Sequence, residues 1–184
     1  ETAVLSHYVL PAKSGYEKWD GTFFQWHYPD YYFDMRRPVV EVDGEQVEEA
    51  TIFTGLAERL GMIPDYPPQL RELAGDRPRF GVALMEYIRS NPKAEPWLPY
   101  ILAKTLGEEL RSENLAALWG LLARFPMMHP EEVARAGYQL GPMTGEEIFR
   151  KILNTPGGVK LGVVDTENNL SLLKTPDNKI HIHF

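Results

Sequence analysis

The chain contains no cysteine. That absence excludes disulfides, thiolate zinc sites, cysteine-held iron–sulfur clusters and cysteine nucleophiles from its 184 residues. It leaves the redox compartment open, because a thiol-free chain suits either environment. Long apolar runs are also absent: charge interrupts them well short of the roughly 20 apolar residues that a membrane-spanning helix needs. Basic residues are scarce, with 19 Lys and Arg against 26 Asp and Glu and a net charge of −7. Nucleic-acid binding needs clustered cations, and the doublet Arg36-Arg37 is too small for that role. The phosphate-cradling GxxxxGK[ST], the dinucleotide GxGxxG, the zinc-binding HExxH and the nucleophile elbow GxSxG are all missing. No signal-peptide pattern and no internal repeat is visible. The first residue is Glu1, directly ahead of an apolar run, as expected of a cut piece or a processed product.

What is present reads as a helical protein with irregular ends. Apolar residues make up 43% and charged residues 24%, a globular balance, and the length fits one domain or one domain with an arm. Residues 1–11 end in an apolar run closed by Pro11, which reads as the end of a buried strand. Nine of the chain's 21 aromatic residues lie between Tyr16 and Phe33, within a stretch (12–43) that lacks helical periodicity. In Phe24-Gln25-Trp26-His27-Tyr28 the rings alternate with polar residues, the pattern of an extended, half-buried segment. Val39-Val40-Glu41-Val42 ahead of Asp43-Gly44 reads as a short strand ending in a turn.

From residue 46 the apolar period becomes helical. Ile52, Phe53, Leu56 and Leu60 share a stripe that Gly61 closes as a C-cap. A Pro-rich loop follows, and Pro67 or Pro68 opens a short helix over Leu70 to Ala74. Phe80, Leu84, Tyr87 and Ile88 mark a helix stopped by Pro92, and Trp97, Ile101, Leu102 and Thr105 mark one interrupted at Gly107. Ser112 caps a helix that carries Leu115, Leu118, Trp119, Leu122 and Phe125 and ends before Pro126. Pro130 starts Glu131 to Tyr138. Thr144 with Glu147 forms a capping box ahead of Ile148, Phe149, Ile152 and Leu153. Beyond Gly157-Gly158, two short strands near 159–164 and 179–183 finish the chain. The expected fold is mainly α: an extended aromatic-rich N-terminal arm (1–45), a helical domain (46–156) and a short β tail (157–184).

Side chains able to do chemistry are sparse. Glu48-Glu49 and Glu108-Glu109 sit beside helical patterns, where adjacent residues diverge around the axis, so they read as solvated faces. His181-x-His183 places two imidazoles on one face of a strand, a spacing some metal sites use, without a further close ligand. His7, His27 and His129 stand alone. The aromatic arm, with Asp20, Asp30, Asp34, Arg36 and Arg37 among its rings, suits either stacking of a planar ligand or packing onto a neighbouring domain.

Three stretches resemble the molybdopterin oxidoreductase superfamily, the group of formate dehydrogenases, dimethyl sulfoxide reductase and periplasmic nitrate reductases. Glu1-Thr-Ala-Val-Leu-Ser-His-Tyr-Val-Leu-Pro-Ala12 with Tyr16-Glu-Lys-Trp-Asp-Gly-Thr-Phe23 is similar to a family strand and the loop after it. In the family this strand ends the cofactor-binding core, and the chain then passes the cofactor funnel. Asp165 to Ile180 is similar to the entry into the family's C-terminal cofactor-binding barrel, and Ala50 to Gly61 to the helix that joins the two. His7 and Gln25 depart from the family's usual Asp and Asn. Residues 62–158 match nothing in the pattern and read as a helical insertion.

The resemblance implies a parent enzyme with two molybdopterin guanine dinucleotides, one molybdenum or tungsten, and an iron–sulfur cluster held upstream. This segment omits the metal ligand and the cluster region, so the isolated chain is expected to hold no cofactor, no catalytic residue and no metal. Carried over by position, Glu17, Gly21 and Thr22 are the cofactor-facing residues. The expected partners are the remaining domains of the parent, with an exposed patch centred on Phe23, Phe24, Trp26, Tyr31 and Tyr32 and self-association through the aromatic arm as a further possibility. The resemblance leaves substrate and compartment open. Two other classes compete: a freestanding helical interaction module, and a small metal-binding protein using His181 and His183.

Overall fold

Helix α6, Glu113–Met128, is the pillar against which the other elements pack. The computed structural model of the chain describes residues 2–22, 26–167, 173, 175–177 and 179–182. Leu115, Ala116, Leu118, Trp119 and Leu122 recur at helical spacing and bury one face of α6. Helices α5 (Leu98–Leu106) and α8 (Thr144–Asn154) lie against that face. Two glycines permit the close approach. A Cβ on Gly145 of α8 would stand 2.5 Å from the Ala123 Cα, and one on Gly120 would stand 2.2 Å from the Leu102 Cδ1. Around this centre run α2 (Glu49–Arg59), α3 (Gln69–Glu72), α4 (Arg77–Ser90), a 3-10 segment (Pro92–Trp97) and α7 (Pro130–Arg135). The most deeply buried large side chains, among them Leu70, Phe80, Ile101, Leu122, Val133 and Phe149, come from six of these helices, so the fold is mainly α.

The ends of the chain meet in a small sheet. β2 (Trp26–His27), β3 (Asp30–Phe33) and β5 (Val159–Val163) form an antiparallel sheet in the order β2-β3-β5. β1 (Asp20–Gly21) pairs separately with β4 (Met35–Arg36). The expected arm and β tail are therefore joined through β3 and β5. Tyr31 packs edge-on against Phe125 at 6.0 Å and His129 at 5.7 Å. The Tyr32 hydroxyl donates to the Gly158 carbonyl at 3.1 Å. Tyr31 and Tyr32 are thus half-buried by this chain's own elements and are not an exposed patch. Phe23 and Phe24, expected in the same patch, lie outside the described residues.

Other expectations change on contact with the structure. Residues 1–11 are not a buried strand: Thr2–Leu5 form a single helical turn, α1, and Val4, Leu5, Tyr8, Val9 and Leu10 are exposed. Ser6 N–H donates locally to Ala3 O, and the first tie to another segment is at the end of the stretch, where Pro11 O accepts the Val47 N–H at 3.2 Å beside the Ala12–Val47 bridge. Val39–Val42 form no strand; the Val39 and Val40 N–H groups both donate to the Tyr16 carbonyl, which curls the segment. The α2 stripe points outward, with Phe53, Leu56 and Leu60 exposed. The small residues Thr54 and Ala57 face inward instead and let α2 sit close to α5 and α6. Gly61, at φ +65°, does close α2, donating to Glu58 O while Met62 N–H reaches Ala57 O.

Helix α6 runs through Pro126, which is buried, and the next bond, His129 N–H to Phe125 O, holds the final turn. The Thr144 capping box is not formed. α8 starts with Met143 as its cap, so Thr144 is buried in the first turn, and Glu147 N–H donates to Met143 O. Helix α7 stops at Arg135, short of Tyr138. Residues 179–182 carry no strand, and His183 lies outside the described residues. No helix of the described chain is long and apolar enough to cross a membrane.

Candidate functional site

The densest polar chemistry gathers where α2 and α5 meet the turn from Gly107 to Ser112. Glu48 caps α2 with its backbone, yet its side chain crosses to α6 and is buried. Its carboxylate accepts the Ser112 hydroxyl at 2.8 and 2.9 Å and the Asn114 N–H at 2.9 Å. Ser112 in turn accepts the Leu115 N–H at 2.9 Å, capping α6 as its sequence position suggested. A carboxylate at a helix N-terminus also meets the positive end of the helix dipole. Asn114 adds two ties, accepting from Ala50 N–H and donating to Trp19 O, both at 3.2 Å. Glu49 pairs with Lys18. Burial is the largest single influence and would raise the Glu49 carboxyl, but the Lys18 hydrogen bond and charge together with the backbone and Asn114 hydrogen bonds hold the group below its ordinary value. The pair Glu48-Glu49 is therefore not a solvated helix face: 64 residues of chain separate Glu48 from Ser112, and no local pattern records their meeting.

Two clefts of about 490 and 460 Å³ open beside this lock. Both are lined by Arg71, Lys104, Glu108 and Arg111. Glu113 lies at the edge of the larger one, with its Oε2 enclosed and without a hydrogen-bond partner. Burial pushes this carboxyl up; Lys104 opposes the rise and Glu48 adds to it. A raised folded value means stability that is full at low pH and lost as pH rises through that value. Glu113→Gln is accordingly expected to raise the melting temperature by about 2–4 °C near pH 8, from about 1 kcal/mol, and to have little effect near pH 4. Equal effects at both pH values in thermal denaturation would show that ionisation at Glu113 is not the source.

A second buried carboxylate organises the opposite side of α6. Glu146 of α8 accepts both contacts of Arg77 Nε at 3.0 Å, the Trp119 indole N–H at 2.8 Å and Arg150 Nε at 2.6 Å. Burial opposes ionisation, yet these hydrogen bonds together hold the carboxyl below its ordinary value. This cluster ties α4, α6 and α8 together.

The positions carried over by resemblance lie apart from both clusters. Glu17 accepts the Ser14 N–H at 2.7 Å, and that contact holds its carboxyl low. Gly21 pairs with Met35 and donates its N–H to Asp20 Oδ1 at 2.8 Å. Thr22 directs both its N–H and its hydroxyl to Asp34 O at 2.9 Å. The structure thus places Gly21 and Thr22 together at the β1–β4 pairing, with Glu17 in the turn before it. His181 Nε2 lies 3.0 Å from Asp177 Oδ1. Among the described residues no three His, Asp or Glu side chains gather as metal ligands. No family model, no curated protein and no solved structure matches the chain.

Proposed function

We propose that this chain is a structural and active-site-wall segment of a bis-molybdopterin guanine dinucleotide oxidoreductase, containing molybdenum or tungsten, and that it lacks the metal ligand. One observation carries the reading. Two of the stretches that resemble the family carry apolar side chains that this chain leaves uncovered: Leu5 is 85%, Tyr8 90% and Ile180 68% exposed. Where such groups are contiguous they make a surface for a partner, and the partner in this reading is the rest of the parent enzyme. The bound metal–pterin group supplies two-electron or oxygen-atom-transfer chemistry, while protein positions it. In this chain the polar atoms of Glu17, Gly21 and Thr22 are engaged locally with Ser14, Asp20 and Asp34. They do not by themselves form a pterin site, and their role is to shape and pack the approach to it.

Elemental analysis tests the proposal in two arms. The isolated 184-residue chain, purified from cells supplied with molybdate, is expected to contain no stoichiometric molybdenum. The full gene product is expected to be several hundred residues long, to carry an upstream cysteine cluster and to bind the metal. A gene product of this length alone would end the reading. It would favour a helical interaction module, to which the outward apolar face of α2 at Phe53, Leu56 and Leu60 lends support.

A further inference from the structure

We infer that the two clefts share an oxyanion site centred on Arg111, and that its ligand is phosphate or a phosphate monoester. This inference is independent of the enzyme reading. Arg111 has φ +53°, the only non-glycine residue in the left-handed region among the described residues. The cause is local. Arg111 N–H donates to Glu108 O at 3.1 Å and Ser112 N–H to Gly107 O at 2.9 Å, the paired bonds that close a helix over a left-handed residue. Glycine or asparagine fits that position with less strain. An arginine there is backbone strain at a residue whose guanidinium makes no ion pair or hydrogen bond among the described residues.

The surroundings of that guanidinium define the ligand. Of the four residues lining both clefts, Arg71, Lys104 and Arg111 are cations and Glu108 is the one carboxylate. Arg71 bonds the neutral Tyr66 hydroxyl at 2.8 Å and makes no direct ion pair among the described residues. Lys104 is held by Glu58 at 2.9 Å. In the larger cleft, the Glu48 acceptors are committed to Ser112 and Asn114. Counting Lys13, Glu48 and Glu113 in the larger cleft and Glu109 in the smaller, cations outnumber carboxylates four to three and three to two, a local excess of positive charge in a chain of net charge −7. Arginine forks match tetrahedral oxyanions with paired N–H donors, and convergent cations favour a dianion over a monocarboxylate. Clefts of this size have room for the organic part of a monoester.

The test is isothermal titration of the intact chain with inorganic phosphate at fixed ionic strength, with chloride and sulfate as comparators. Saturable phosphate binding is expected. Arg111→Gly should weaken it about tenfold or more, the loss of one charge-assisted contact, while its melting temperature stays the same or rises. Arg111→Asn, which also tolerates the left-handed backbone, should behave alike and guards against a folding defect in the glycine variant. Arg124→Ala, outside both clefts, should bind as the unaltered chain does. The inference is overturned by an absence of saturable heat, by an equal response to chloride, or by unaltered affinity in both Arg111 variants.

Discussion

Glu146→Ala is expected to destabilise the fold by about 3–5 kcal/mol, a fall in melting temperature of roughly 10 °C for a chain of this size. The magnitude follows from what the substitution strands. Arg77, with only 20% of its side chain exposed, would lose the carboxylate 2.9 Å from its Nη2 and leave an uncompensated charge beside Phe149. The Trp119 indole N–H would lose its acceptor while its ring stays packed edge-on against Phe80 at 5.5 Å. Arg150 matters less, since 58% of its side chain is exposed and solvent screens it. The double variant Arg77→Leu with Glu146→Leu should recover much of the loss, because removing both partners leaves no buried orphan. Urea denaturation of the four chains of that cycle measures the coupling. Additive losses would mean that Glu146 and Arg77 do not act as a pair.

The same cluster sets an acid limit. The Glu146 carboxyl lies below its ordinary value in the folded state, so the stability it contributes is present above the unfolded value near 4.5. That stability is lost as pH falls through the depressed folded value. Glu113 runs the opposite way, favouring the fold at low pH and losing that contribution as pH rises. The two effects separate cleanly at the extremes of a pH titration.

What the sequence made legible and what it hid divide along one physical line. Helix existence came from local periodicity, and caps such as Ser112 and Gly61 came from chemistry within four residues. The β5 strand after Gly157-Gly158 was equally local, since both glycines adopt positive φ and turn the chain, after α8 has ended at Asn154, into the strand. Long-range pairings were not legible. In Thr144-Gly145-Glu146-Glu147 the capping-box spacing selects Glu147, yet Glu146 is the buried residue, through partners 27 and 69 residues away. The outward turn of the α2 stripe was hidden for a related reason. An apolar stripe specifies a buried face only if a neighbour is present to cover it, and α2 docks through Thr54 and Ala57 instead. Arg111 showed no signal, because its left-handed backbone depends on how α5 ends.

Glu48→Ala is expected to cost about 3 kcal/mol, combining the loss of a helix-end acceptor with the stranding of a buried hydroxyl. The residue is only 5% exposed, and three of its contacts converge on the first turn of α6. Without the carboxylate, Ser112 can still cap Leu115 N–H, but its own hydroxyl proton then has no acceptor and the Asn114 N–H is unpaired. Glu48→Gln should fall between the two, since an amide oxygen accepts one of these bonds without the charge that favours a helix N-terminus. Ser112→Ala alone should also destabilise, and the pair Glu48→Ala with Ser112→Ala should lose less than the sum of the single changes. Amide hydrogen exchange supplies the local readout, with Asn114 and Leu115 exchanging faster in Glu48→Ala while the α4 amides change only with global stability. A change within about 0.5 kcal/mol, the range of an ordinary surface substitution, would instead put Glu48 back on a solvated helix face and leave α6 to be capped by Ser112 alone.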